Sequence, residues 1–316
     1  MCPSGTAFPG VFHTFAGEGV SRSRPGALWQ RDGMTGRHAR VIVLTSYLPN
    51  YQLIASWAER HGHEIPLVVT PSGGTHGRYG GGELVTGLGK GTGLLITGKL
   101  RTIAAPAIAA LKPDLVISAA FARLIPAEIL DVPTYGALNL HPSSLPAGRG
   151  PNPIRLVYEG ADSIGATLHR TAAEFDTGAI LSQRERPLPA DLSGPALLAG
   201  WLEMFAEVLE EGVAKALAGE PGMPQRSELM SYPREFDAEE QIIDFSRPAA
   251  VICRRVAALN VLVPQARIRL PEVEGTVLDA REVAGGEGAD PGAVLASHAD
   301  SWTVRAADRA VRVTVG

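Results

Sequence analysis

A mainly parallel α/β sheet flanked by helices, followed by a smaller β-rich unit, is the fold class that this sequence predicts. Three observations carry that reading. Continuous apolar runs rich in β-branched residues, such as Val41-Ile42-Val43-Leu44, mark strands buried on both faces. Such runs alternate with helix-period segments through the first half of the chain, as βαβ units require. Beyond a proline-punctuated stretch at 219–236, most of the sequence breaks into short β-like segments.

The elements follow in order. Residues 41–46 form the first strand, 51–61 a helix with Ile54, Trp57 and Ala58 on one face, and 67–70 the second strand. The Gly-rich stretch 73–93 reads as a flexible surface loop that moves over a site. Two nucleotide-binding patterns there fail. The run from Gly93 to Lys99 resembles a phosphate-binding loop, but Leu100 stands where Ser or Thr must hold magnesium. Gly87, Gly89 and Gly91 do not join a strand directly to a helix, as a dinucleotide fingerprint must. A helix at 104–111 and strands at 114–118, 135–140, 164–170 and 178–185 complete the sheet. Residues 195–217 make a long helix, because Leu198, Trp201, Leu202, Phe205, Leu209, Val213 and Leu217 recur at helical spacing. A helix at 248–258 precedes β segments at 266–270, 275–278, 293–295, 302–305 and 310–315. The organisation expected is an N-terminal extension (1–39), disordered or preceding a true start near Met34, then an α/β domain (40–218), a linker (219–240) and a β-rich domain (241–316).

Composition narrows the partners. A net charge of -4 advertises no polyanion. Cys2 and Cys253 provide neither a disulfide framework nor a CxxC metal pair, which suits a reducing cytoplasm. His61 and His63 read as an exposed helix end rather than metal ligands. No apolar run approaches the roughly 20 residues of a membrane span.

The chemistry concentrates in two polar clusters. Asn139 and His141 stand two apart at the carboxyl end of a buried strand, so both side chains share one face. Ligands of open α/β sheets bind at that end. Pro142, Pro146 and Gly148 then force a loop, and Glu174-Phe-Asp176-Thr-Gly178 interrupts two later strands. Asn-x-His alone is usually an ordinary strand end; the ordered set is more specific. Asn139-x-His141-Pro-Ser143, Leu145-Pro146, Arg149-Gly150, Pro153 and then Asp176-Thr177-Gly178 resemble the folate-dependent formyltransferase family. The segments 113–126, 165–170 and 232–246 extend the resemblance over about residues 40–316. The departures are Ser143-Ser144-Leu145-Pro146, where the family usually has Ser-Leu-Leu-Pro, and Gly148, where an aromatic or basic residue often precedes Arg-Gly.

The resemblance implies a Rossmann-like catalytic domain, an OB-like C-terminal domain and 10-formyltetrahydrofolate as co-substrate, with no metal. It implies that Asn139 donates to the developing oxyanion, that His141 contacts it and moves a proton, and that Asp176 orients His141. It places the pterin ring against Phe121, Ala122, Arg123 and Leu124 and the loop with Thr177 and Gly178. Ser143, Arg149, Asn152 and His169 are the candidates for acceptor contacts. The architecture most resembles that of the methionyl-tRNA members of the family, but residues 241–316 hold nine Arg against nine Asp or Glu and no Lys. A tRNA-binding surface calls for a basic excess. A small-molecule or carrier-bound amine, with polar or anionic groups, is therefore favoured over tRNA. Transfer of the formyl group to water is a further reading.

Overall fold

The computed structural model describes residues 38–71, 81–121 and 123–316; the N-terminal extension, Ala122 and part of the Gly-rich stretch lie outside them. Seven strands form one sheet in the order β3-β2-β1-β4-β5-β6-β7. They are β1 (Arg40–Thr45), β2 (Glu64–Thr70), β3 (Gly93–Ile96), β4 (Leu115–Ala119), β5 (Ala137–His141), β6 (Ser163–Arg170) and β7 (Ile180–Pro187). The first five run parallel, while β6 and β7 are antiparallel additions. Val41, Ile42, Val43 and Leu44 of β1 are fully buried, as the continuous apolar run requires of a central strand covered on both faces.

Two helical layers do the covering. On one face lie α1 (Leu48–Arg60) and the long α6 (Gly194–Leu217), which share a core with Val41, Val43, Leu138 and Leu140. On the other, a π-helical turn (Leu100–Ala104), α3 (Ala105–Ala110) and the short α4 (Ala127–Leu130) bury Ile42, Leu44, Val116 and Ala137. The Gly-rich stretch departs from the sequence expectation. Its described part contains a helix, α2 (Gly81–Gly87), and the edge strand β3 begins at its last glycine, Gly93. Glycine content hid the helix. Leu84 is fully buried, and a Cβ on Gly87 would lie 2.5 Å from Leu48, so glycine permits close docking against α1. The strand β3 is held by backbone pairing to β2, which needs no side-chain pattern.

After α5 (Arg155–Glu159), β6, β7 and α6, the chain runs through 219–240 with one 3-10 turn, Ser227–Leu229. Then α7 (Ala249–Leu259) packs on an antiparallel half-barrel in the order β10-β11-β12-β9-β8. Its strands are β8 (Arg267–Leu270), β9 (Val273–Val283), β10 (Val294–His298), β11 (Ser301–Arg305) and β12 (Ala310–Val315). Among the described residues no helix is long and apolar enough to cross a membrane.

One ion pair ties the 230s segment to α5. Arg155 is 4% exposed; its Nη2 donates to Glu240 at 2.7 Å, and its Nε donates to the Arg234 carbonyl at 2.7 Å. The Arg155 hydrogen bond holds the Glu240 carboxyl well below its ordinary 4.5, at about 2, against the desolvation that opposes it. Replacing Glu240 by Gln leaves a buried guanidinium with a weaker partner and should cost on the order of 2–3 kcal/mol in urea unfolding at pH 7. Because the folded-state value is depressed, this stabilisation is complete above about 4.5 and lost as pH falls toward 2. The gap between wild type and Glu240→Gln should narrow over that window; an undiminished gap at low pH would assign the effect to packing.

Candidate active site

The loops after β1 and β4 diverge because their next strands lie on opposite sides, and such a switch point leaves a crevice. Here it is a cavity of about 340 Å³, reached by residues from the ends of β1, β4 and β5. Asn139, His141, His169 and Asp176 lie on its wall.

Each polar group is oriented by a specific neighbour. Ser118 Oγ donates to Asn139 Oδ1 at 2.7 Å, which turns the Asn139 Nδ2 hydrogens toward His169 Nε2 (3.1 Å) and Asp176 Oδ1 (3.1 Å). His169 pairs with Asn139 across the β5–β6 ladder, and its Nδ1 donates to the Arg170 carbonyl at 2.8 Å, leaving Nε2 as an acceptor. His141 is 5% exposed, and its Nε2 donates to the Gly148 carbonyl at 2.7 Å. Its Nδ1 then faces Asp176 Oδ1 at 3.5 Å. Burial pushes the His141 pKa below the ordinary 6.5, outweighing the upward pull of Asp176 and the Gly148 carbonyl. In the neutral ring Nδ1 carries a lone pair, so two acceptors face each other across a gap that a shared proton donor would satisfy.

Gly148 explains one departure from the family pattern. Its φ is +76°, and a Cβ there would lie 2.8 Å from Leu156 and 3.0 Å from the Ser143 side chain. Only glycine turns the backbone so that this carbonyl meets His141 without strain.

Asp176 sits in the left-handed region, with φ +56°. Its Oδ2 accepts the Gly150 N–H at 2.8 Å. Burial acts to raise this carboxyl, but the positive charge that the His141 and His169 rings bring when protonated, together with the Gly150 N–H, outweighs it and holds the group at about 2. A residue far along the chain supports the unusual backbone. Gln225 Nε2 donates to the carbonyls of Asp176 (2.8 Å) and Gly178 (2.7 Å), while its Oε1 accepts from Arg149 Nε (3.0 Å) and Nη2 (2.7 Å). Arg149 is followed by Gly150, so the contacts close into a ring: Arg149, Gln225, Asp176, Gly150. Gln225 was invisible in the sequence, one polar residue in a stretch that reads as linker.

The residues singled out from sequence separate into two groups. Phe121, Arg123, Leu124 and His169 line the cavity with the Asn139, His141 and Asp176 cluster; Ala122 lies outside the described residues. Ser143, Arg149, Asn152, Thr177 and Gly178 do not line it. Ser143 Oγ donates to the Ala147 carbonyl, Asn152 Nδ2 to the Arg234 carbonyl, and Thr177 Oγ1 to the Glu174 carbonyl. Gly178 abuts the Arg170 carbonyl, which a Cβ would approach to 1.8 Å. Arg149 is directed at Gln225 and Tyr232. Sequence reasoning also missed wall residues from distant elements, Asn50 of α1, Trp201 and Phe205 of α6, and Val261 and Leu262 after α7. Trp201 and Phe205 were legible only as a helical core stripe.

Comparison with known proteins agrees with this architecture. Residues 98–200 match the family model described as formyl transferase, and residues 235–315 match the formyl transferase C-terminal domain. The chain is 32% identical over 273 residues to methionyl-tRNA formyltransferase of Bordetella parapertussis, covering 80% of this chain and 86% of that enzyme. It is 35% identical over 211 residues to the Pseudomonas fluorescens methionyl-tRNA formyltransferase, covering 66% of this chain but 65% of that enzyme's length. In fold it is similar to HypX from Aquifex aeolicus, solved with tetrahydrofolic acid (TM-score 0.67, 21% identity, 88% of this chain and 44% of that one). It is likewise similar to an N-formyltransferase from Helicobacter canadensis (TM-score 0.60, 13% identity, 88% and 99%). The chain belongs to the formyl transferase family.

The ring around Asp176 yields a test. Gln225→Glu keeps the shape and gives Arg149 a charged partner, but turns two donors to the Asp176 loop into acceptors. Turnover should fall about 10- to 100-fold through misplacement of the carboxylate. The thermal midpoint should hold, because a new ion pair offsets the lost bonds. A lower midpoint with unchanged turnover would make Gln225 merely structural.

Proposed function

We propose that the protein is an N-formyltransferase that moves a formyl group from 10-formyltetrahydrofolate to the primary amine of a small-molecule or carrier-bound acceptor. The observation that carries this is the gap between His141 Nδ1 and the Asp176 carboxylate, 3.5 Å wide, beside the Asn139 amide on one cavity wall. The fit to the donor rests on the flanking residues. Phe121, Leu124 and Phe175 line the same cavity, and Leu124 and Phe175 remain 50% and 42% exposed, apolar faces for a flat ring. Bound there, 10-formyltetrahydrofolate supplies the formyl group.

The residues then have distinct tasks. Asn139 Nδ2 turns the hydrogen that it otherwise gives to Asp176 Oδ1 toward the oxygen on which negative charge develops, while His169 and Ser118 keep that amide turned the right way. A preorganised donor of this kind is worth about 3–4 kcal/mol in the transition state. His141, neutral and open at Nδ1, accepts the proton that the attacking amine must shed. Asp176 faces the imidazolium so formed and stabilises it without itself being protonated.

The charge distribution supports an acceptor other than tRNA. In the C-terminal unit Arg247, Arg269, Arg281 and Arg309 are each ion-paired, to Asp244, Glu274, Asp279 and Glu282. Arg255 lies over the Tyr158 ring at 4.5 Å. Cations engaged in this way are poorly placed to displace counterions from phosphates. A methionyl-tRNA acceptor is the second reading, favoured by the curated relatives of that name at 32–35% identity. Supplying the donor with methionyl-tRNA, amino-sugar nucleotides and aminoacyl compounds, and weighing the products, decides between them. Efficient product on methionyl-tRNA alone restores the second reading, and formate without any adduct indicates a hydrolase.

Two predictions follow from the roles. Asn139→Ala, His141→Ala and Asp176→Ala should each remove most turnover, by about 100-fold or more, with folding intact. Because the three act as one unit, the triple variant should be little slower than the worst single one. Near-wild-type turnover in His141→Ala would refute the assignment. In an NMR titration the His141 ring should protonate below its ordinary 6.5, and in Asp176→Asn lower still, since the carboxylate is a raising influence. A midpoint above 6.5 would mean that the ion pair, not burial, governs this ring.

A further inference from the structure

The two antiparallel strands of the sheet carry polar side chains that touch no part of the cavity. His141 of β5 stands opposite Thr167 of β6, and Thr167 stands opposite Gln183 of β7. Directly opposed residues of antiparallel strands share a face, so the three form one row beside the catalytic end of β5. Thr167 is fully buried, and neither it nor Gln183 lines the cavity.

Both side chains are turned onto the loop that follows β5. Thr167 Oγ1 donates to the Ser143 carbonyl at 2.7 Å and accepts from the Leu145 N–H at 3.3 Å. Gln183 Nε2 donates one hydrogen to Thr167 Oγ1 at 2.8 Å and the other to the Leu145 carbonyl at 2.9 Å. The threonine hydroxyl has one hydrogen and two lone pairs, and the amide nitrogen has two hydrogens, so all of them are engaged. Gly165, two residues earlier on β6, lets the loop settle on the strand, since a Cβ there would lie 2.3 Å from Ser144 N. A satisfied buried network of this kind fixes one arrangement, because removing a member leaves a buried group unpaired.

The far end of the same loop meets the catalytic base. Ser143 Oγ donates to the Ala147 carbonyl at 2.6 Å, and the next residue, Gly148, presents the carbonyl that accepts from His141 Nε2 at 2.7 Å. That bond puts the proton of the neutral ring on Nε2 and leaves the lone pair on Nδ1, toward Asp176. The path therefore runs from Gln183 to Thr167, through Ser143 to the Gly148 carbonyl, and back to His141.

We propose that Thr167 and Gln183 are positioning residues for formyl transfer, which hold His141 in the tautomer able to take the amine's proton. This rests on the formyl-transfer reading above and deepens it. They act through the Gly148 carbonyl and touch no substrate. Gln225 steadies the carboxylate from the segment after α6, and Gln183 steadies the base from the sheet edge. Packing alone would not require this pair, because two apolar residues of the same shape fill such a row nearly as well.

The test compares Gln183→Met and Thr167→Val, which keep volume and remove the hydrogen bonds, with Thr167→Ser, which keeps the hydroxyl. Turnover is measured with 10-formyltetrahydrofolate and whichever of methionyl-tRNA, amino-sugar nucleotides and aminoacyl compounds the wild type formylates. Long-range proton–nitrogen spectra of histidine-labelled protein read the ring tautomer, with His141→Ala assigning the signal. Gln183→Met and Thr167→Val should each lower kcat about 10-fold or more with both KM values nearly unchanged, as misplacement of a base requires. Their His141 signal should move from the pure Nε2–H form toward a mixture with Nδ1–H. The acid limb of kcat should also move to lower pH, because the Gly148 carbonyl is a raising influence on the ring. Thr167→Ser should restore both kcat and the tautomer. A variant that loses kcat and unfolding midpoint together while His141 keeps the Nε2–H form makes the row structural and overturns the assignment, as does wild-type kcat in both variants. If Gln183→Met does not fold, Gln183→Asn, whose amide stops one methylene short of the loop, gives the same tautomer readout. If the wild type formylates no amine, the reading of the reaction falls, and the tautomer still decides whether this row holds His141.

Discussion

The site depends on keeping Asp176 ionised in a place where burial favours its protonation. Water alone would do this at the surface; here fixed donors replace it. The carboxylate takes a hydrogen bond from the Gly150 backbone and one from the Asn139 amide, and the His141 and His169 rings face it. Holding the residue left-handed costs about 1 kcal/mol even for aspartate, which tolerates that region better than most. The cost is met by Gln225, which grips the carbonyls on both sides of the turn, and by the glycine at 178, which lets the turn lie on β6. Four stretches far apart in sequence must therefore be folded before one charge is stable. Competence of the site and completion of the fold are the same event.

Much of this was legible in the amino-acid sequence, and the reasons are specific. The strand β1 announced itself because a central parallel strand tolerates only apolar residues. Asn139 and His141 could be assigned to one face because strand geometry has a period of two, and ordered motif context supplied Asp176. What escaped were contacts with no local signature. Asn50 reads as an ordinary polar residue after a proline, and Gln225 sits among prolines where no period is defined. Whether Arg149 and Asn152 face a ligand or their own chain depends on the path of residues 225–234, which hydrophobic patterning does not encode. The helix within the Gly-rich stretch was hidden for a related reason: glycine erases the side-chain pattern that marks a helix face.

The two sides of the cavity differ in chemistry. Asn139, His141 and His169 lie on one side of β5, and the wall across it, Leu140, Leu198, Trp201 and Phe205, is apolar. Such a division suits a reaction in which charge changes at one atom while the rest of the acceptor must be recognised. It also explains why α6 and the turn after α7 reach the cavity although neither carries a reacting group. They furnish the shape of that wall.

The balanced surface of the C-terminal half-barrel has a kinetic consequence. A domain with nine Arg against nine Asp or Glu, four of those Arg in ion pairs, carries no net charge and projects little net field beyond a Debye length, roughly 8 Å in physiological salt. Encounter with an acceptor is then unsteered, and association falls to the ordinary range of about 10⁵–10⁶ M⁻¹s⁻¹. Speed in such a system comes from local abundance instead. A carrier that tethers the amine near the cavity raises its effective concentration into the millimolar range with a short flexible linker. On the proposed carrier-bound reading, supply of the acceptor is governed by linker length, a property of the partner rather than of the enzyme.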